Sequence, residues 1–407
     1  MSEWKEVNSS DYCYKIADGT HDSPKRCSDG RFLITSKHIK GTNIDFDNAY
    51  FISEEDYQKI IKRSKVDQWD VLISMIGEYC GFCYLEDSNN TEYAVKNVGI
   101  MKIGDEYKAK WLYYYLNSPK GKDQLYQSRA GTSQPYIALS ALRNLTIPVP
   151  NDLALSKIVE ILSSLDDKIA VNRRICENLE AQAQALFKHW FVDFAPFKNG
   201  KFVESELGLI PEGWRVGKAD DFYTINIGKT PPRAERQWFS ESKGNNKIWI
   251  SISDMGGCGA FISDSKEYLT PEAQSKFNVV MVPAGTILLS FKLTIGRVAI
   301  ADNELTTNEA IARFILPNSN YREFTYLYLR QYNYGSLGST SSIATAVNSK
   351  IIKSMPFLMP SAEVMTKFSS VVSKLFDEIR IFNNESRRLS TLRDTLLPKL
   401  MSGEIKI

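Results

Sequence analysis

Two stretches of this 407-residue chain carry the same heptad track, 210 residues apart. The first runs Ile158, Leu162, Leu165, Ile169, Asn172, Cys176, Leu179, Ala183, Leu186, Trp190, with steps alternating four and three. The second runs Phe368, Val372, Leu375, Ile379, Phe382, Ser386, Leu389, Arg393, Leu396, Leu400. All but Asn172, Ser386 and Arg393 are apolar residues, alanine or cysteine, and an apolar seam sustained over several heptads is what a coiled coil requires. Two seams in register predict two long helices paired within the chain, and one unit written twice.

The repeat extends to the flanks of the helices. Each globular segment opens on a Trp-containing strand-like stretch, Trp4-Lys5-Glu6-Val7 and Trp214-Arg215-Val216-Gly217. A turn follows, Gly19-Thr20-His21-Asp22-Ser23-Pro24 in one copy and Gly228-Lys229-Thr230-Pro231-Pro232-Arg233 in the other. Next comes a β-rich run, Phe32 to Ile39 beside Ile248 to Met255, and then Asp70-Val71-Leu72-Ile73-Ser74 beside Thr286-Ile287-Leu288-Leu289-Ser290. Short runs of this composition between turn signals read as strands of a mixed domain. Both segments close on Pro-containing apolar pieces ending at Pro150 and Pro360. Proline sits well just before a helix, so Asn151 or Asp152 is expected to cap the first helix and Ser361 the second.

The expected fold class is therefore α+β: two mixed, mostly β domains (1–150 and 196–360) separated by two long antiparallel helices (151–195 and 361–407), an intramolecular coiled coil with a pseudo-twofold repeat of about 210 residues. The span from Ile158 to Trp190 corresponds to roughly 50 Å of helix, which places one globule at each end of a rod. With the helix ends aligned, Asn172 falls opposite Ser386, and a polar layer there would fix register. The other seam residues singled out are Leu165, Ile169, Leu179, Leu375, Ile379 and Leu389. Pro398 stands where the first copy has Lys188, which calls the last turn of the second helix into question.

Composition excludes several classes. The longest apolar runs fall short of about eighteen residues, and the opening MSEWKEVNSSDY lacks a signal peptide's apolar core, so no membrane association and a cytoplasmic location are expected. The six scattered cysteines suggest free thiols rather than a disulfide framework. A net charge of only +2 announces no global field for nucleic acid, so any DNA binding must use local patches or partners that add positive charge.

Nothing in the chain reads as a catalytic centre. It has neither an Asn-Pro-Pro-Tyr-type methyltransferase motif nor a phosphate-binding Gly-x-x-x-x-Gly-Lys loop. Its three histidines are His21, His38 and His189, and the last, beside Trp190 of the seam, suits a structural role. Glu106-Tyr107-Lys108 and Glu241-Ser242-Lys243 have a nuclease-like spacing that is common by chance. Cys80-Gly81-Phe82-Cys83 has half of a zinc spacing without a second pair, which favours strand thiols and no metal site.

The segment Leu162-Ser163-Ser164-Leu165-Asp166-Asp167-Lys168-Ile169, with Asn172-Arg173-Arg174 and Leu179 to Phe194, closely resembles the central conserved region of specificity subunits of type I restriction–modification systems. Leu207 to Trp214 resembles the start of that family's second target recognition domain. Ala130-Gly131-Thr132-Ser133-Gln134-Pro135 with Leu145 to Pro150 resembles the end of the first; Gly338-Ser339-Thr340-Ser341-Ser342 in the second copy departs by lacking Gln-Pro. The resemblance covers essentially the whole chain. It implies a non-catalytic subunit whose two target recognition domains each read one half of a bipartite, asymmetric site in double-stranded DNA. The paired helices would set the spacer and dock two methyltransferase (modification) subunits, which restriction subunits join. S-adenosylmethionine, ATP and Mg would belong to those partners and no cofactor to this chain.

Base edges and phosphates are contacted by Arg, Lys, Asn, Gln, Ser, Thr and backbone N–H groups. The Gly/Pro turns offer Thr20 and His21 in the first globule and Lys229, Thr230 and Arg233 in the second; the first β-rich run offers Ser36, Lys37 and His38, its counterpart Ser253, and the loop before Pro135 offers Arg129, Gly131, Thr132, Ser133 and Gln134. Two other classes predict different behaviour. A coiled-coil scaffold would retain no DNA even with a methyltransferase present, and a self-contained DNA-modifying enzyme would act alone.

Overall fold

The computed structural model describes residues 4–337, 347–405 and 407. The chain divides into two compact units, Met1–Lys168 with Arg388–Ile407, and Ile169–Arg387. The division falls within two helices of 40 residues each, Asp152–Phe191 and Ala362–Met401. Each unit thus owns one β-rich globule and a stretch of both helices.

In the first unit, Lys15–Asp18, Val98–Lys102, Asp70–Ser74 and Cys83–Leu85 lie in that order in an antiparallel sheet. The central strand Asp70–Ser74 is buried on both faces, and strand alternation decides what each residue meets. Val71 and Ile73 face one way, into a core with Trp111, Leu112 and Leu116 of the helix Glu106–Asn117. Leu72 faces the other way, onto Ile34 and Val95 of a second sheet. That sheet runs Tyr50–Ile52, Arg31–Thr35, Tyr93–Lys96, with the last two strands parallel. Lys5–Asn8 pairs antiparallel with Thr146–Val149, which brings the two ends of the globular segment together at the helix start. There Asn151 Oδ1 accepts from the Ala154 amide at 2.9 Å, so Asn151 is the cap.

The second unit repeats this plan strand by strand, more closely than the turn signals alone indicate. Thr224–Ile227, Ile311–Ile315, Ile287–Ser290 and Val298–Ala301 take the same order, with Phe261–Ile262 added at the edge. Its other sheet runs Phe239–Ser240, Tyr268–Leu269, Lys247–Ile250, Thr306–Thr307, again with a parallel last pair. Lys5 opposite Val149 in the first unit becomes Arg215 opposite Met359 in the second, a shift of 210 on both strands. Ser361 Oγ accepts from the Val364 amide at 3.4 Å at the start of the second helix.

Within each unit the helix stretches run antiparallel. In the second, Phe191 meets Phe368 edge to face and Trp190 meets it at a tilt, at ring-centroid distances of 4.7 and 5.7 Å, and the Cys176 thiol approaches the Ile379 carbonyl at 3.7 Å. Leu179, Leu375 and Ile379 belong to the same core. In the first, Ile158 and Leu162 share a core with Leu397, Leu400 and Met401, and Leu165 and Leu389 are half-buried, as is Ile169 where the second unit begins. Asn172 is fully buried, and its hydrogen-bond acceptor is Glu385, one residue before the expected Ser386. The helix runs through Pro398 to Met401, with the Ser402 amide on the Pro398 carbonyl at 3.0 Å and Gly403 at φ +71° closing the end. Among the described residues no helix is long and apolar enough to cross a membrane.

Candidate nucleic-acid interface

In the first unit the strands ending at Asp18, Thr35, Ser74 and Lys96, and the strand beginning at Val98, all reach the same end of the β core. Asn97, at φ +54°, ties the turns at that rim together. Its amide donates to the Thr20 carbonyl at 3.2 Å, its carbonyl accepts from the Met75 amide at 3.2 Å and from the Ser36 hydroxyl, and its Oδ1 lies 3.0 Å from His21 Nδ1. The hairpin Arg129–Ala130 with Tyr136–Ile137 docks on the same rim, through Ile137 N to Met75 O and Gly77 N to Pro135 O, both 2.9 Å.

Candidates from three separate parts of the sequence therefore converge. His21, Lys37 and the hairpin tip Gly131, Thr132, Ser133 and Gln134 are exposed there. The tip requires its glycine: Gly131 has φ +83°, and a Cβ would lie 2.7 Å from the Gln134 carbonyl oxygen.

His21 keeps its exposure but has both ring nitrogens engaged, Nδ1 by Asn97 and Nε2 by Asp18 Oδ2 at 2.8 Å, and four more candidates of the first unit are engaged by the fold itself. Ser36 is 4% exposed, and its hydroxyl oxygen also accepts from the Met75 and Ile76 amides at 3.1 and 3.3 Å. His38 is 1% exposed, its Nδ1 accepts from the Thr35 amide at 3.0 Å, and burial holds its pKa below the ordinary histidine range. Thr20 is buried, with its hydroxyl oxygen accepting from the Asp22 amide at 3.1 Å. These three shape the turns, and their side chains are too enclosed to meet a base. The Arg129 guanidinium donates to the Cys80 carbonyl and lies 5.1 Å from the Tyr126 ring, so it braces the loop beside the hairpin. Residues that sequence reading passed over include Asn97 and the pair Lys40 and Tyr79, with ammonium and ring 3.7 Å apart. Exposed Phe82, Tyr126 and Tyr136 join them. An asparagine between two strand runs, able to take a left-handed conformation, was the available signal for Asn97.

The second unit forms a rim at the same topological place, from the turns after Ile227, Ile250, Ser290 and Thr307. Gly228 is confined, since a Cβ would lie 2.0 Å from the Asn308 carbonyl oxygen. Beside it the Lys229 amide donates to Thr307 O at 2.9 Å while its side chain is exposed. Ser253 is exposed and 2.8 Å from the Ser251 hydroxyl, in a turn capped by Asp254. Thr230 donates to Glu309, and Arg233 pairs with Glu267 over the rings of Phe239 and Trp249 at 4.4 and 4.6 Å. Those two are committed to intramolecular acids and rings. The loop from Phe291 to Arg297 completes the rim, anchored by Arg297 Nη1 donating to the Ile252 carbonyl at 2.7 Å. Gly338-Ser339-Thr340-Ser341-Ser342, the counterpart expected for the first unit's hairpin tip, lies outside the described residues.

The other motifs have local explanations. Glu106 pairs with Lys110 at 2.6 Å and Lys243 with Asp264 at 3.3 Å. Cys80 and Cys83 are buried thiols facing backbone carbonyls, and burial pushes Cys83 up to about 12.

Residues 1–181 and 211–390 match the family described as the type I restriction modification DNA specificity domain. The chain is 27% identical to the type I restriction enzyme HindI specificity subunit of Haemophilus influenzae, over the full length of both. It is 28% identical to the MjaIX specificity subunit of Methanocaldococcus jannaschii, covering 74% of this chain and 70% of that one. In fold it is similar to the crystal structure of the type I restriction–modification S subunit from M. genitalium, with a TM-score of 0.55 at 16% identity, covering 98% of this chain and 96% of that one.

Proposed function

Because the chain belongs to the type I restriction modification DNA specificity family, we propose that it is the DNA-recognition subunit of such a system, with each rim reading one half of a bipartite, asymmetric duplex target. The observation that carries this is the duplication of the core: the same strand order appears twice, while the rims carry different side chains. A conserved frame with divergent edges suits two readers of different sequences. Exposed Lys37, His21, Thr132, Ser133 and Gln134 supply contacts in the first unit, and Lys229 and Ser253 in the second. The long helices, as separators, set the spacer and dock two modification subunits, with restriction subunits joining that core.

In this reading the chain takes no part in the chemistry. S-adenosylmethionine serves the modification subunits, and ATP and Mg serve the restriction subunits. The near-neutral net charge of +2 fits a division of labour in which partners hold phosphates and this chain meets base edges.

The test is DNA binding and adenine methylation by the purified chain alone, by the modification subunit alone and by the two together. Sequence-specific binding and methylation that need both support the reading. Methylation or cleavage by this chain alone, or a complex that retains no DNA, overturns it.

A further inference from the structure

We propose that Leu293 recognises the C5 methyl group of a thymine in the half-site read by the second unit, an inference that rests on the DNA-reading function above. Leu293 is 100% exposed and sits at φ +59°. Both properties are unfavourable for leucine: its apolar surface stays in water, and the left-handed conformation crowds its Cβ.

The internal repeat shows that the side chain is not required by the turn. Counting three residues from the serine that ends the central strand gives Gly77 after Ser74 and Leu293 after Ser290. Gly77 also has a left-handed φ, +83°, and a Cβ there would meet open space. The first unit makes its turn with the residue that suits it, and the second places an exposed apolar side chain on the same kind of backbone.

The loop holds Leu293 in place rather than letting it fold back. Ser290 Oγ donates to Thr294 O at 2.6 Å and accepts from the Arg297 amide at 3.0 Å, while the Gly296 amide donates to Ser290 O at 3.1 Å. Arg297 fixes the far end of the loop to the turn that carries Ser253. Leu293 therefore projects from the rim that also presents Lys229. An apolar side chain on a rim that meets base edges fits the one apolar feature of the major groove, the thymine methyl.

The test uses the full chain in complex with its modification subunits. Its methylated target is mapped first, and each thymine of the second unit's half-site is then replaced singly by deoxyuridine in duplex-binding measurements. Removal of one particular methyl should weaken binding about fourfold, the worth of roughly one buried methyl group. Leu293→Asn keeps a residue that tolerates the left-handed conformation. It should lose the same factor on the natural duplex and become indifferent to that deoxyuridine. A complex that binds its target yet ignores every thymine replacement, a half-site without thymine, or a Leu293→Asn complex that still discriminates overturns this inference alone. A complex with no sequence preference overturns the underlying reading, and this inference with it.

Discussion

Asn172 donates a hydrogen bond from Nδ2 to Glu385 Oε2 at 2.7 Å across the antiparallel helix stretches of the second unit. The amide is fully buried in a seam that is mostly apolar, so it specifies which layer meets which. Asn172→Ala should cost about 1.5–3 kcal/mol, the range for a hydrogen bond to a charged group. Asn172→Leu should cost less, because apolar surface is buried in exchange. Urea unfolding of the three proteins decides it, and an alanine variant as stable as wild type would show that the layer contributes nothing.

Ser36 bears on whether the first unit's turns are built or merely exposed. Its hydroxyl holds the Met75 and Ile76 amides and the Asn97 carbonyl. Ser36→Ala should destabilise the protein by about 1–3 kcal/mol through unpaired buried groups. Any loss of DNA affinity should vanish under conditions where the variant is fully folded. A stable variant with altered base preference would restore Ser36 to the list of readers.

Lys37 and Lys229 are exposed cations on the two rims. If they meet phosphates, Lys37→Ala or Lys229→Ala weakens binding of the assembled complex to all sequences alike and lowers the salt slope by about one. Gln134→Ala should instead relax one position of one half-site, worth about 1–3 kcal/mol of discrimination. Affinities measured from low to moderate salt on matched and mismatched duplexes separate the two outcomes.

Asp70 gives the first unit a pH dependence. It is 1% exposed, its Oδ2 lies 2.7 Å from Lys102 Nζ, and burial pushes its pKa from 3.8 up to about 6 against the pull of Lys102. The folded state then holds the proton more tightly than the unfolded chain. Its stabilising contribution is fully present below pH 3.8 and is lost as pH rises through about 6. The stability of wild type relative to Asp70→Asn should therefore fall between pH 4 and pH 7, by at most about 3 kcal/mol. Denaturation at the two pH values checks the sign, and a rise would contradict it.

Features set by periodicity or backbone chemistry were legible in the sequence. The seam, the helix caps at Asn151 and Ser361 and the strand repeat all follow from residue spacing and from what proline and asparagine do to a chain. Side-chain burial within turns was not legible. Ser36 and Lys37 are neighbours of equally polar type, yet one is enclosed and the other exposed, because only the folded position of Asn97 and Met75 decides it. The polar layer was displaced by one residue for a similar reason: glutamate is long enough to reach Asn172 from beside the expected position. Leu293 gave no signal, since a leucine in a Lys-Leu-Thr-Ile run reads as strand or core until its φ and exposure are seen.

The most direct measurement is genome-wide mapping of methylated adenines in cells expressing this chain with its modification subunit, as wild type and as Gln134→Ala. A split motif is predicted, with an unread gap, and the variant should relax one half while leaving the other half and the gap unchanged. An unsplit motif, one that persists without this chain, or a variant that alters both halves together would contradict two independent readers on one frame.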